Sequence, residues 1–334
     1  MNEPVEPVEI IKDLWTIDIE LPANPLRNLN TYVVKAPEGG RNLIIDTGFY
    51  RPECLDVLMH GIEVLDLKPE NTDVFLTHLH PDHVGNAGYL AKLGYKMIMG
   101  ALDYDLMLFG PDARWRDCME LLQGEGLPKD MFEKIRQNDE SVVYTSGMFE
   151  AQKVYNGDML HYGNFDFECI LTPGHSPGHM CLYDKNSKTM LLGDHVLFDI
   201  SPNICCWACM HDSLGMYLYS LRKIKTYDVV LPLPAHRTTG SISLNDRIDA
   251  LLAHHERRLN EAVGIIGREP GLNAYEIASR MNWRIKADSW ALFPPSQQFF
   301  AQSETVAHLD RLFITGRVTR KRDKSGVNRY FLPK

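Results

Sequence analysis

The tightest constraint on this fold lies at residues 77–83, Thr77-His78-Leu79-His80-Pro81-Asp82-His83. The run follows directly on Asp73-Val74-Phe75-Leu76, a short apolar stretch that reads as a strand. Alternate residues of an extended segment face the same way, so His78 and His80 project together, and Asp82 and His83 follow on the next turn. Three imidazoles and a carboxylate packed this closely would crowd unsatisfied polar atoms together unless a cation sits among them. Imidazole and carboxylate are the donors that zinc, iron and manganese accept. Loops at strand ends are also where a rigid scaffold presents its reactive groups.

Three further donors stand in loops after apolar runs. His175 lies in Thr172-Pro173-Gly174-His175-Ser176-Pro177-Gly178-His179, Asp194 in Leu191-Leu192-Gly193-Asp194-His195, and His236 in Leu231-Pro232-Leu233-Pro234-Ala235-His236. The order His-x-His-x-Asp-His, then His, Asp and His, resembles the metallo-β-lactamase superfamily over roughly residues 8–240. The resemblance implies an α+β fold, an αβ/βα sandwich with metals at one edge of its two sheets. It further implies that His78, His80 and His175 hold one metal, that Asp82, His83 and His236 hold a second, and that Asp194 bridges them. Two divalent ions are therefore expected, zinc first, with iron or manganese acceptable to the same ligands. Two such ions lower the pKa of a shared water, giving a hydroxide that attacks an acyl or phosphoryl centre. Asp82 is the expected catalytic residue, orienting that water and taking its proton. The bridging Asp194 sets the pattern apart from classical β-lactamases and closer to glyoxalase-II-like thioesterases. Two candidate substrate contacts adjoin the ligands. Arg237 stands where the family usually has Gly and could bind an anionic group; His195 follows Asp194. His179 reads as a supporting histidine.

The rest of the chain divides around these positions. Strand patterns occur at Leu14–Ile19, Thr31–Val34 and Asn42–Gly48, with a helix near Cys54–Ile62. Residues 103–138 carry Leu106, Met107, Met119, Leu122, Met131 and Ile135 in a helical pattern, an insertion expected to form a lid, a structural cover or a dimer contact. Strands resume at Phe165–Leu171, Met180–Tyr183, Thr189–Gly193 and Asp228–Leu231. Beyond Thr239, helices are expected over Leu244–Ile266 and Asn273–Met281, with a third starting at Ser303 as N-cap. A hairpin around Asp323-Lys324-Ser325-Gly326 closes the chain. This is the layout of a winged helix-turn-helix, dividing the chain into a catalytic domain (1–243) and a winged-helix domain (244–334).

Two reactions are compatible with such an organisation: hydrolysis of a thioester or similar activated acyl small molecule, or RNA cleavage by a metal-dependent endoribonuclease whose basic hairpin holds the strand. The hairpin region carries Arg317, Arg320, Lys321, Arg322, Lys324 and Arg329. A net charge of −9 and the acids Glu304 and Asp310 on the third helix favour a small-molecule substrate over nucleic acid. No apolar stretch approaches the ~20 residues that span a bilayer, so no membrane role is expected. The acidic start and seven scattered cysteines point to a cytoplasmic protein. Cys206 and Cys209, without a second such pair, read as packing residues.

Overall fold

The computed structural model describes residues 5–22, 24–136, 144–285 and 287–334; the last two residues of the expected insertion fall outside this set. A seven-stranded sheet takes its strands in chain order: β1 (Val8–Ile11), β2 (Leu14–Glu20), β3 (Asn28–Val34), β4 (Asn42–Ile45), β5 (Thr72–Leu76), β6 (Lys96–Gly100) and β7 (Ala151–Val154). Pairing is antiparallel up to β4 and parallel from β4 onward. A five-stranded sheet has the order β12 (Leu231–Pro234), β11 (Thr189–Gly193), β10 (Met180–Asp184), β9 (Phe165–Leu171), β8 (Met159–Tyr162). Only its β11–β12 pair is parallel.

Side chains alternate across a strand, and here both faces are buried, which explains why the central strands read as continuous apolar runs. Leu43, Ile45, Phe75 and Ile98 meet Phe167, Cys169, Leu182 and Leu191 between the two sheets. Their neighbours Ile44, Val74, Leu76, Met97 and Met99 point outward, against Leu58 and Ile62 of α1 (Pro52–Val64) and Leu90 of α3 (Ala87–Lys92). On the far side, Ile170, Cys181, Met190 and Leu192 pack under α7 (Ser213–Ile224) and α8 (Leu244–Arg268). The layers run helix, sheet, sheet, helix. Between α1 and α3 lies the single turn α2 (Pro81–Val84), which carries Asp82 and His83.

The insertion forms α4 (Ala101–Leu108), α5 (Pro111–Gly124) and α6 (Met131–Arg136). Tyr104 and Met107 of α4 join the core of the first sheet, whereas Met119, Leu122, Met131 and Ile135 join that of the second. The chain ends with α9 (Ala274–Ala278), α10 (Pro295–Ile314) and the hairpin β13 (Thr319–Arg322)–β14 (Asn328–Phe331). Asn273 and Glu276 form a capping box on α9. The expected order of three helices and a hairpin is present. The core nevertheless runs across residue 243 without a break, with Ile248, Ile277, Leu309 and Tyr330 in one cluster with Leu192 and Leu122. Gln302 Nε2 also donates to the Leu122 and Glu125 carbonyls (3.2 and 3.3 Å).

Two boundaries differ from expectation. The third helix begins at Pro295, and Ser303 is no N-cap but a buried interior residue whose hydroxyl and carbonyl accept from the Cys206 amide. Proline at the first helical position supplies the start signal that Ser303 was expected to give. The strand expected at Asp228–Leu231 lies instead at Leu231–Pro234. It is an edge strand, the one place where Pro232 and Pro234 cost no ladder hydrogen bond. No helix among the described residues is long and apolar enough to cross a membrane.

Candidate metal centre

The ends of β5, β9, β11 and β12 converge at one end of the two sheets. The sheets are laced together there by backbone bonds from Met180 N to Thr77 O (2.9 Å) and from Asn30 N to Ala235 O (2.7 Å). His78, His80, Asp82, His83, His175, Asp194 and His236 all meet at this end. Three groups of donor atoms lie within 4.8 Å of one another: His78/His80/His175, His78/His83/Asp194 and Asp82/His83/His236. Asp194 spans the cluster. Its Oδ1 lies 3.1 Å from His236 Nε2 and 3.5 Å from His83 Nε2, while its Oδ2 lies 3.4 Å from His175 Nε2. Asp82 Oδ2 is 3.3 Å from His236 Nε2.

The orientation of each ring follows from its other nitrogen. His83 Nδ1 donates to Asp46 (2.7 Å), His175 Nδ1 to the Asn203 carbonyl (2.8 Å), and His236 Nδ1 to the Asn28 carbonyl (2.6 Å). Those oxygens can only accept, so each Nδ1 carries the proton and each Nε2 turns a lone pair inward. The Thr77 hydroxyl donates to Asp46 (2.8 Å) and so accepts from His78 Nδ1 (3.1 Å). His78 Nε2 and His80 Nδ1 then face each other at 2.9 Å. The Nε2 atoms of His83, His175 and His236 and Oδ1 of Asp194 are buried without a hydrogen-bond partner. Buried polar atoms rarely go unpaired, and this donor set fits a divalent cation.

Without a cation, the carboxylates of the site draw positive charge onto His236 itself, a proton that a bound metal ion would displace. Burial pulls His236 down, but the Asp194 and Asp82 carboxylates outweigh it and hold the ring up at about 10. Burial raises Asp82, yet His83 and His236 bring it down to about 2. At the other end of the cluster, burial and then His175 push His80 down to about 3, leaving its nitrogen free to ligate.

Several supporting residues carry no motif of their own. Asp46, at a left-handed φ of 63° just after β4, orients His83 and Thr77 together. Asp103, buried at the start of α4, accepts from Leu79 N (3.0 Å), Ser176 Oγ (2.6 Å) and Gly178 N, tying the two histidine loops together. Trp207 stacks on His80 with centroids 6.1 Å apart and donates to the His175 carbonyl (3.2 Å). His179 Nε2 accepts from Asp194 N (3.0 Å), and its Nδ1 meets Thr172 Oγ1 (2.8 Å), which gives it the supporting place expected. Gly193 has φ 50°, and a Cβ there would fall 2.5 Å from His179 Nε2. Gly193→Ala is therefore expected to displace His179 and Asp194 together, lowering stability by about 1–3 kcal/mol in thermal denaturation and weakening metal uptake.

The two candidate substrate contacts lie elsewhere. Arg237, at φ 61°, donates through Nη2 to the Pro25 carbonyl (2.7 Å) and through Nε to the Leu26 carbonyl (3.4 Å), clamping the loop before β3. His195 is fully buried, its ring against His179 and Tyr217, with no exposed surface to offer a substrate. Three of the six bases of the hairpin region are also paired with acids. Arg320 pairs with Asp310 (2.8 Å), Arg329 with Glu276 and Asp323 (2.8 Å each), and Arg317 with Glu256 (2.9 Å).

A helix-flanked double sheet with a buried His/Asp donor cluster at its strand ends is an arrangement suited to metal binding. The family model of the metallo-beta-lactamase superfamily matches residues 25–144, and that of the metallo-beta-lactamase-like C-terminal domain matches residues 292–332. It is similar over nearly its whole length to two solved structures. One is a metallo-beta-lactamase family protein of Thermus thermophilus (25% identity, TM-score 0.80, 97% of this chain and 100% of that one). The other is a beta-lactamase domain protein of Burkholderia ambifaria (26%, 0.79, 98% and 94%). Among curated relatives, an atrochrysone carboxyl ACP thioesterase of Emericella nidulans is 25% identical over 247 residues, 73% of this chain. The chain spans 62% of that protein's length. A beta-lactamase-like protein 2 homolog of Caenorhabditis elegans is 22% identical over 86% of this chain and 82% of its own.

Proposed function

We propose that the protein is a metal-dependent hydrolase that cleaves the thioester of an activated acyl group, in the manner of glyoxalase-II-like enzymes. The observation that carries this reading is the placement of Asp194, whose two carboxylate oxygens face different imidazole groups. His78, His80 and His175 would hold one ion and Asp82, His83 and His236 a second, with Asp194 offering an oxygen to each side. Zinc suits the donors best, and iron or manganese would be accepted. Bound there, the ions would supply a water of near-neutral pKa and polarise the acyl oxygen.

The protein's own groups do the rest. Asp82, whose Oδ2 lies 3.3 Å from His236 Nε2, orients the attacking water and takes its proton. Asp46, Asn203 and Asn28 fix the tautomers of His83, His175 and His236. No serine or cysteine nucleophile is needed. The thioester reading draws on the relatives described as ACP thioesterases. Residues 244–334 are read as a winged-helix-like unit that braces the catalytic layers, and the pairing of Arg317, Arg320 and Arg329 with acids speaks against that unit holding RNA.

Zinc-loaded protein is expected to hydrolyse acyl-N-acetylcysteamine or acyl-CoA thioesters. Asp82→Ala should lose on the order of 10²-fold or more in kcat, as expected when a positioned proton acceptor is removed. Protein that ignores these thioesters but cuts single-stranded RNA would overturn the reading.

A further inference from the structure

An apolar pocket of about 360 Å³ is lined in part by the loop that carries His175. Leu102 and Leu106 of α4, with Phe109 at its end, form one wall, Pro173 and Pro177 a second, and Met216 of α7 a third. The two prolines stand two residues either side of His175, so one loop serves both the pocket and the cluster. Leu102, Phe109 and Met216 are 52%, 71% and 41% exposed, an apolar surface left uncovered at a cost in hydration. Among the described residues, Asp105 is the sole charged one of the lining, and its carboxylate is already paired with Lys153. A polar or anionic headgroup would find no partner here. At roughly 30 Å³ for a water-sized atom, the space holds about a dozen non-hydrogen atoms, too few for a helix of another protein but sufficient for a hydrocarbon chain.

We propose that this pocket receives the apolar acyl chain of the substrate, a hydrocarbon of about ten carbons, with the thioester carbonyl directed to the donor cluster. The assignment rests on the thioesterase reading and adds a chain-length preference to it. Substrates with short or charged acyl groups leave the wall formed by α4 unfilled and are discriminated against.

Two non-hydrolysable thioethers, S-decyl- and S-ethyl-N-acetylcysteamine, test this by calorimetric titration of the zinc-loaded protein. Each buried methylene is worth up to about fourfold in affinity. Only part of the chain need be buried for the decyl compound to bind at least ~10-fold tighter than the ethyl one. Phe109→Ser combined with Met216→Ser, both at exposed positions, should erase most of that ratio. Equal affinity of wild-type protein for the two thioethers overturns the pocket assignment, a result that needs no variant. A dimer by sedimentation that the double variant converts to monomer would also overturn it, placing a second copy over this surface. Decyl binding without thioester hydrolysis supports the pocket and sinks the reaction. Hydrolysis indifferent to chain length sinks the pocket and leaves the reaction standing.

Discussion

Asp194→Ala is expected to lose bound metal and to cut thioester turnover by at least ~10²–10³-fold, the scale on which one preorganised charge-stabilising group acts. Among the described residues, Asp194 is the one whose two oxygens face different histidine groups, so its removal weakens both sides at once. It is also buried at 4% exposure, where no solvent can replace the lost charge. Elemental analysis of purified variant and wild type, taken with turnover, reads both effects. Full metal content with wild-type turnover would remove Asp194 from the site. Asn in its place should be milder, since the amide oxygen can still face one side.

Asp103→Ala carries the second large effect, on stability. The carboxylate satisfies Leu79 N, Ser176 Oγ and Gly178 N, and all three belong to loops that carry candidate ligands. Truncation orphans these donors in a site of zero exposure, at about 1–3 kcal/mol each. The sum is several kcal/mol, a large share of the ~5–15 kcal/mol that holds a typical domain together. Asp103→Ala is therefore expected to lower the denaturant midpoint sharply, with metal affinity falling as the two loops part. Asp103→Ser, which retains one acceptor, should recover part of the loss. An unchanged midpoint would mean that the loops are held by their strands alone.

The two residues differ in how far the sequence announced them. Asp194 follows an apolar strand and falls in order after the histidine cluster. His78, His80, Asp82 and His83 are nearly contiguous, so local spacing alone brings their side chains together. Asp46 and Asp103 act across 37 and 75 residues of chain on His83 and Gly178, and nothing in their immediate surroundings marks them. The Ile45-Asp46-Thr47-Gly48 segment was visible as the end of an apolar strand, but the orienting role of Asp46 depends on β4 and β5 being parallel neighbours. Most strands of the central layers were legible because both faces are apolar, but β6, buried between β5 and β7, was not read. The edge strands β1, β7 and β8, half exposed and short, were not. Ser303 misled for a related reason. Its preference for helix starts is local, whereas its bond to Cys206, 97 residues away, belongs to the packed structure.

The unbroken core beneath α7 to α10 has a consequence for how this chain could be shortened or recombined. Ile277, Val306, Leu309, Leu312 and Tyr330 are fully buried against Met119, Leu122 and the second sheet. A version truncated after Arg268 would bare that surface and, with Glu125 losing Tyr330 and Asn328, strand a buried carboxylate on the insertion. Removal of the C-terminal segment is thus expected to destabilise the layers it covers. A tail exchanged from a relative would work only if it brought a matching apolar face and a partner for Glu125.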